Sequence, residues 1–203
     1  MSETSSGQQA AAVAVFDPFA GADPAVSALR DALRAEGVDA EITSDPASAV
    51  AADGLVVAAS GDAAEALRVL RNTQVDRVVG QRLAGSRPVL VVGAAMDALF
   101  ERAADGAAGF GEWPGGVEKL DAQLESAHVS PAPDSELLHG VDPAAEFDFH
   151  AGAGVREFAL DEDDFIAYPR LSWVQEPHVL AAVENGALWA TQFHPETSGE
   201  AGA

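Results

Sequence analysis

Residues 88–100 read Pro-Val-Leu-Val-Val-Gly-Ala-Ala-Met-Asp-Ala-Leu-Phe, and the architecture of the whole chain follows from this stretch. From Val89 to Val92 every residue is apolar, with none of the alternation that a strand with one wet face requires. Such a run is expected of a parallel strand covered on both faces. It ends at Gly93, where the chain can turn sharply, and the residues that follow read as the start of a helix. A buried strand that turns directly into a helix is the repeating unit of a parallel α/β sheet.

The same alternation fills the first half of the chain. Ala12 to Phe16, Val38 to Ile42 and Gly54 to Ala58 read as further buried strands. Asp23 followed by Pro24 marks a helix start, with an acceptor side chain at the cap and proline at the first helical position. That helix runs through Leu29 and Leu33 to Gly37, and Ala63–Arg71 and Val75–Leu83 read as two more, the second ending at Gly85. Beyond Phe110 short strands are expected between Pro, Gly and acidic loops: Gly116–Leu120, Phe147–His150, Val155–Leu160 and Phe165–Tyr168. Val179–Glu184 and Leu188–Phe193 flank Asn185-Gly186, a strong hairpin signal. The expected fold is α/β: a mostly parallel central sheet flanked by helices, with added antiparallel strands in the second half. Residues 12–203 are read as a single domain behind a disordered tail at 1–11.

Composition narrows the function. With 48% hydrophobic and 22% charged residues over 203 positions, the chain is globular. Its 11 basic and 33 acidic residues give a net charge of -22, which opposes binding to nucleic acid and to anionic membrane surfaces. A salt-adapted surface and a GC-rich genome would both produce this balance. No cysteine is present, so disulfides, thiolate metal sites and thiol catalysis are excluded together. The polar start and the lack of a long apolar run lead to an expected cytoplasmic location.

Ligands of an open α/β sheet bind beyond the carboxyl ends of its strands, which puts the turn at Gly93 in view. Near the other end, Thr191 to Glu196 reads Thr-Gln-Phe-His-Pro-Glu. His194 and Glu196 are a base and an orienting carboxylate, the types that activate a nucleophile. Ser60 and Thr191 are alternative nucleophiles by type, though neither lies at the turn. His128, His139, His150 and His178 lack metal-ligand spacing, so no metal is expected. The acidic run at 161–164 reads as a solvated loop, and Trp113 and Trp189 as packing residues. Gly106 to Gly111 lacks the strand and helix context of a nucleotide loop, and no cofactor is expected.

These two segments together resemble the class I glutamine amidotransferase family, and in particular the amidotransferase subunit of imidazole glycerol phosphate synthase from histidine biosynthesis, in its actinobacterial form. The resemblance extends over nearly the whole chain from Ala12. It is carried also by Asp76-Arg77-Val78-Val79-Gly80, Arg82-Leu83-Ala84-Gly85, Gly111-Glu112-Trp113-Pro114-Gly115, Ala182-Val183-Glu184-Asn185-Gly186 and Leu188-Trp189-Ala190. It implies glutamine hydrolysis at a cysteine on the turn, with His194 and Glu196 as the activating pair. The ammonia released would pass to a cyclase subunit, the implied heterodimer partner.

The departures from the family pattern fall at the site. Gly93 stands where the resemblance places the cysteine, and Val91 and Ala95 replace the two glycines of the turn, which puts the turn's geometry in doubt. Met96 and Asp97 stand at the glutamine-holding positions, Asp97 in place of a glutamine. Ala58-Ala59-Ser60-Gly61 replaces the strand end that supplies an oxyanion N–H, so Ser60 and Gly61 are candidates for a degenerate oxyanion site. The partner-facing segment survives only as His128-Val129-Ser130-Pro131, and Thr197 replaces a lysine. The expectation is a glutaminase-inactive family member, bound to the cyclase or regulating it, with glutamine binding in doubt. The alternatives are a repurposed binding module or a decaying paralogue outside histidine synthesis.

Overall fold

The computed structural model describes residues 12–159 and 168–203. The tail expected at 1–11, the acidic run at 161–164 and nearly all of the strand expected at 165–168 lie outside the described residues.

The first half follows the expected alternation: β1 (Ala12–Phe16), α1 (Pro24–Ala35), β2 (Asp39–Thr43), α2 (Pro46–Ala51), β3 (Gly54–Ala59), α3 (Ala63–Asn72), α4 (Val75–Ala84), β4 (Val89–Gly93) and α5 (Ala94–Asp97). Asp23 caps α1 by accepting from the Ala25 N–H, and Asp45 caps α2 by accepting from Ala47 and Ser48. Short side-chain acceptors of this kind satisfy backbone donors that the first helical turn cannot. The second half comprises β5 (Phe100–Arg102), β6 (Trp113–Gly116), β7 (Glu118–His128), β8 (Glu146–Gly154), β9 (Arg170–Val174), β10 (Val179–Asn185) and β11 (Leu188–Thr191), then 3₁₀ turns at Pro195–Thr197 and Gly199–Gly202.

Seven strands form the central sheet in the order β2-β1-β3-β4-β11-β10-β9. The first five run parallel, and β10 pairs antiparallel with both β11 and β9. On β3, Leu55, Val57 and Ala59 enter the core shared with α3, α4 and α5, while Val56 and Ala58 enter the core beneath α1. Both faces of β3 and β4 are therefore covered, which accounts for the unbroken apolar runs in their sequences.

Arg82 of α4 is fully buried and ties the amino ends of this sheet together. Its guanidinium donates to the carbonyls of Ala49 (2.8 Å), Val50 (3.2 Å), Ala52 (2.9 Å), Asp53 (3.1 Å) and Pro88 (2.9 Å). The planar fork collects the end of α2 and the approaches to β3 and β4 at one point.

Three expectations are corrected. Val155–Ala159 is not a strand: Val155 is buried and its carbonyl accepts from the Leu180 N–H (2.8 Å), while Phe158 stacks edge-on to Phe100. The apolar spacing there reflects two anchors, not a ladder. The strand expected at Gly116–Leu120 continues to His128, its outer face mostly exposed, so hydrophobicity gives no sign of its length. Helix α2 and strands β5, β6 and β9 fall outside the expected elements, being short and weakly patterned, although Asp45-Pro46 carries the same start signal as Asp23-Pro24.

Candidate functional site

Gly93 ends β4 with φ 67° and ψ -140°, and α5 begins at the next residue. This is a conformation open to glycine and strained for every L side chain. The tight turn therefore forms, although the loss of the glycines at 91 and 95 put its geometry in doubt. The dihedral demand falls on residue 93 itself. Val91 and Ala95 are buried core residues in the same cluster. Nor is there a long helix behind the turn: α5 is a single turn of 4 residues.

His194 and Glu196 do meet. His194 Nδ1 lies 2.9 Å from Glu196 Oε1, and both side chains are buried. The loop that carries them is fixed from several sides. The His194 N–H donates to the Asp148 carbonyl (2.7 Å), the Ser198 hydroxyl to the His194 carbonyl (2.7 Å), and Thr191 Oγ1 to the Phe193 carbonyl (2.9 Å). The opposite edge of the imidazole faces Gly93. A Cβ built on Gly93 would stand 2.5 Å from His194 Cε1, 2.6 Å from His194 Nε2 and 2.5 Å from the Ala59 carbonyl oxygen. A side chain at 93 and the present positions of His194 and Ala59 exclude one another. The pair is assembled, and its ring fills the space in which a side chain at 93 would begin.

The other candidates divide. Asp97 is 2% exposed and lines the cleft in front of His194. Its Oδ2 accepts from Gln192 Nε2 at 3.4 Å, its Oδ1 has no partner among the described residues, and burial pushes its carboxyl up to about 7. Met96 is wholly buried in the core, the place an apolar side chain there is expected to take, and it lines no part of the cleft, so the substrate-binding role implied by the resemblance is corrected. Ser60 is corrected as well: its N–H (2.7 Å) and hydroxyl (2.8 Å) both donate to Asp23, which leaves neither for an oxyanion. Gly61 has φ 80° and borders the cleft. Thr191, an alternative nucleophile by type, spends its hydroxyl on the Phe193 carbonyl.

The cleft encloses about 470 Å³ beyond the carboxyl ends of β3 and β4. Its far wall is the β7–β8 ribbon, which contributes Lys119, Gln123 and His150. None of these was singled out as a site residue from the sequence, and neither was Gln192. Gln192 lay within the Thr191–Glu196 segment and Lys119 was visible as the one lysine of the chain. The ribbon's approach to the sheet is a tertiary fact without a local signal. His150 has φ 54° and its ring centroid is 6.4 Å from that of His194, while its Nδ1 lies 2.8 Å from Glu125. No cluster able to hold a metal ion occurs among the described residues.

A mostly parallel sheet, a tight turn after β4 and a buried His–Glu pair beside it define a class I glutamine amidotransferase fold. Solved structures agree on the fold. A glutamine amidotransferase matches at TM-score 0.67 and 16% identity, over 94% of this chain and 93% of that one. A glutamine amidotransferase from Thermotoga maritima matches at TM-score 0.60 and 14% identity, over 92% and 76%. No protein-family model matches the chain. Sequence relatives are more specific. The imidazole glycerol phosphate synthase subunit HisH of Corynebacterium diphtheriae is 43% identical, over 86% of this chain and 89% of its own length. The HisH subunits of Nocardia farcinica (43%, over 87% of each chain) and Thermobifida fusca (43%, over 86% and 89%) are similar to the same degree. The chain belongs to the imidazole glycerol phosphate synthase subunit HisH family.

Proposed function

We propose that this chain is a non-catalytic member of the HisH family, which retains the fold and a subunit role but does not hydrolyse glutamine. One observation carries the reading: position 93 has no side chain, and His194 stands where that side chain would begin. In the family's chemistry the attacking sulfur divides a difficult acyl transfer into two easier steps. Removing the nucleophile of such a constellation costs on the order of 10⁶ in rate. His194 and Glu196 then have no proton to take from position 93. The partner this reading assigns is the cyclase subunit of imidazole glycerol phosphate synthase, which would work on free ammonia. No helix among the described residues is long and apolar enough to cross a membrane.

The test is glutamate release from glutamine with the cyclase present, alongside ammonia-dependent turnover in the same complex. Co-purification with the cyclase, ammonia-dependent turnover and no glutamate release are expected. Release at a rate comparable with an intact relative would overturn the reading. Failure to bind the cyclase would favour a repurposed module or a paralogue outside histidine synthesis. Gly93→Cys alone is not expected to restore the reaction, because its Cβ collides with His194 and Ala59. Its glutamate release should stay at least ~100-fold below an intact relative, the usual cost of reacting groups displaced by about 1 Å.

A further inference from the structure

We propose that the His194–Glu196 pair activates water directly, so that the cleft hydrolyses small uncharged esters with a good leaving group and forms no acyl-enzyme. The inference rests on the reading of this chain as unable to hydrolyse glutamine, and adds a different reaction of the same pair.

Glu196 Oε1 lies 2.9 Å from His194 Nδ1, and both side chains are buried. A carboxylate there holds the proton of a neutral imidazole on Nδ1, which leaves Nε2 as the basic nitrogen. Nε2 has no hydrogen-bond partner among the described residues. The side-chain atoms there that are both unpartnered and closed to solvent are Arg82 Nε, Asp97 Oδ1 and Glu196 Oε2, so His194 Nε2 keeps an open edge. His194 is 5% exposed and borders the cleft, where that edge lies. Gly93 offers it no proton, and a water in the cleft is the group it can deprotonate.

In the proposed step Nε2 takes a proton from water while the water oxygen bonds to the ester carbonyl carbon, whose π pair moves onto the carbonyl oxygen. The adduct collapses, the bond to the leaving oxygen breaks, and that oxygen takes the proton back from Nε2. Ester and water become acid and alcohol, and Glu196 balances the transient imidazolium charge. The site favours aryl esters over amides. No side chain at 93 attacks, and the Ser60 N–H and hydroxyl are spent on Asp23, so a poor leaving group receives little help. A phenolate leaves without such help. The cleft of about 470 Å³ has room for a small aryl ester, bordered by the short side chains of Ala94, Ala104, Ala151 and Ala153. A net charge of -22 selects against anionic esters.

The experiment is phenol release from phenyl acetate by the intact chain, in H₂O and in D₂O, with glutamate release from glutamine measured on the same preparation. His194→Gln should lower the rate about 100-fold, the lower end of what a positioned base contributes, and sets the background from the exposed histidines. Glu196→Gln should lower kcat at least ~10-fold and leave KM unchanged, because it no longer fixes the tautomer. His150→Gln should change neither. The unaltered chain should react more slowly in D₂O and show no burst of phenol, a result independent of how the variants fold. A rate that survives in His194→Gln, equal rates in the two solvents, or a burst with acylated protein would each overturn the proposal. Glutamate release would overturn the non-catalytic reading alone, since phenol release is scored separately.

Discussion

The two ends of the central sheet have fared differently. At the amino ends of β3 and β4, Arg82 is fully buried and its guanidinium reaches five backbone carbonyls. At the carboxyl ends of the same strands, Gly93 has no side chain, His194 occupies the space before it, and Asp97 and Glu196 each hold a buried oxygen without a partner among the described residues. One end is a polar network that organises the fold, in which Arg82 Nε is the buried atom left without a partner among the described residues. The other is a polar site with part of its complement missing. Buried polar groups rigidify a structure when satisfied and destabilise it when left half-partnered. Separate residues serve the two ends, so the network at one can hold while polar atoms at the other stand unpartnered.

The largest expected effect is at the amino end. Arg82→Met should lower the unfolding free energy by about 3–5 kcal/mol, since it leaves several buried carbonyls without donors. Denaturant titration monitored by tryptophan fluorescence would measure it. A loss below about 1 kcal/mol would show the clamp to be dispensable and erase the contrast between the two ends.

Asp97→Asn should move stability the other way. The folded-state pKa of Asp97 is raised from 3.8 to about 7, so the folded state holds its proton more tightly than the unfolded chain. The stability this group contributes is therefore full below about pH 4 and is lost as pH rises through 7. Asn carries no charge to bury, and the variant should gain up to about 4 kcal/mol at pH 8, with a flatter stability profile between pH 4 and 7. Denaturation at several pH values would decide it, and an unchanged slope would mean that Asp97 is better partnered than the geometry indicates.

Gly93→Ala is the most delicate probe of the carboxyl end. A methyl at φ 67° meets both backbone strain and the His194 ring, and should cost about 1–3 kcal/mol. In a site still built around a side chain at 93 the cost would come from strain alone, and a parallel measurement on Gly61→Ala supplies that baseline. Gly61 has φ 80° and open space about it. Equal losses at the two positions would show that His194 yields without penalty.

Much of the scaffold is legible because it is written locally. Asp23-Pro24 and Asn185-Gly186 encode a helix start and a hairpin within a few residues, and the apolar runs of β3 and β4 report burial on both faces. The His194–Glu196 pair is legible through the motif that holds it. The length of β7 is not, since an exposed ribbon strand has no hydrophobic signature, and the reading of Val155–Leu160 as a strand mistakes two anchoring side chains, Val155 and Phe158, for a ladder.

Residue identity and short-range pattern were enough to establish a parallel α/β chain without a thiol, with glycine at the turn where the family resemblance places a nucleophile. They were not enough to establish that the tight turn forms, that His194 fills the space beside Gly93, or that Ser60 is committed to Asp23. Nor could they show that Asp97 and Lys119 border one cleft. These outcomes belong to the folded chain, because they depend on which side chains compete for the same space and the same hydrogen bonds. Residues far apart along the chain settle that competition only when the sheet brings them together.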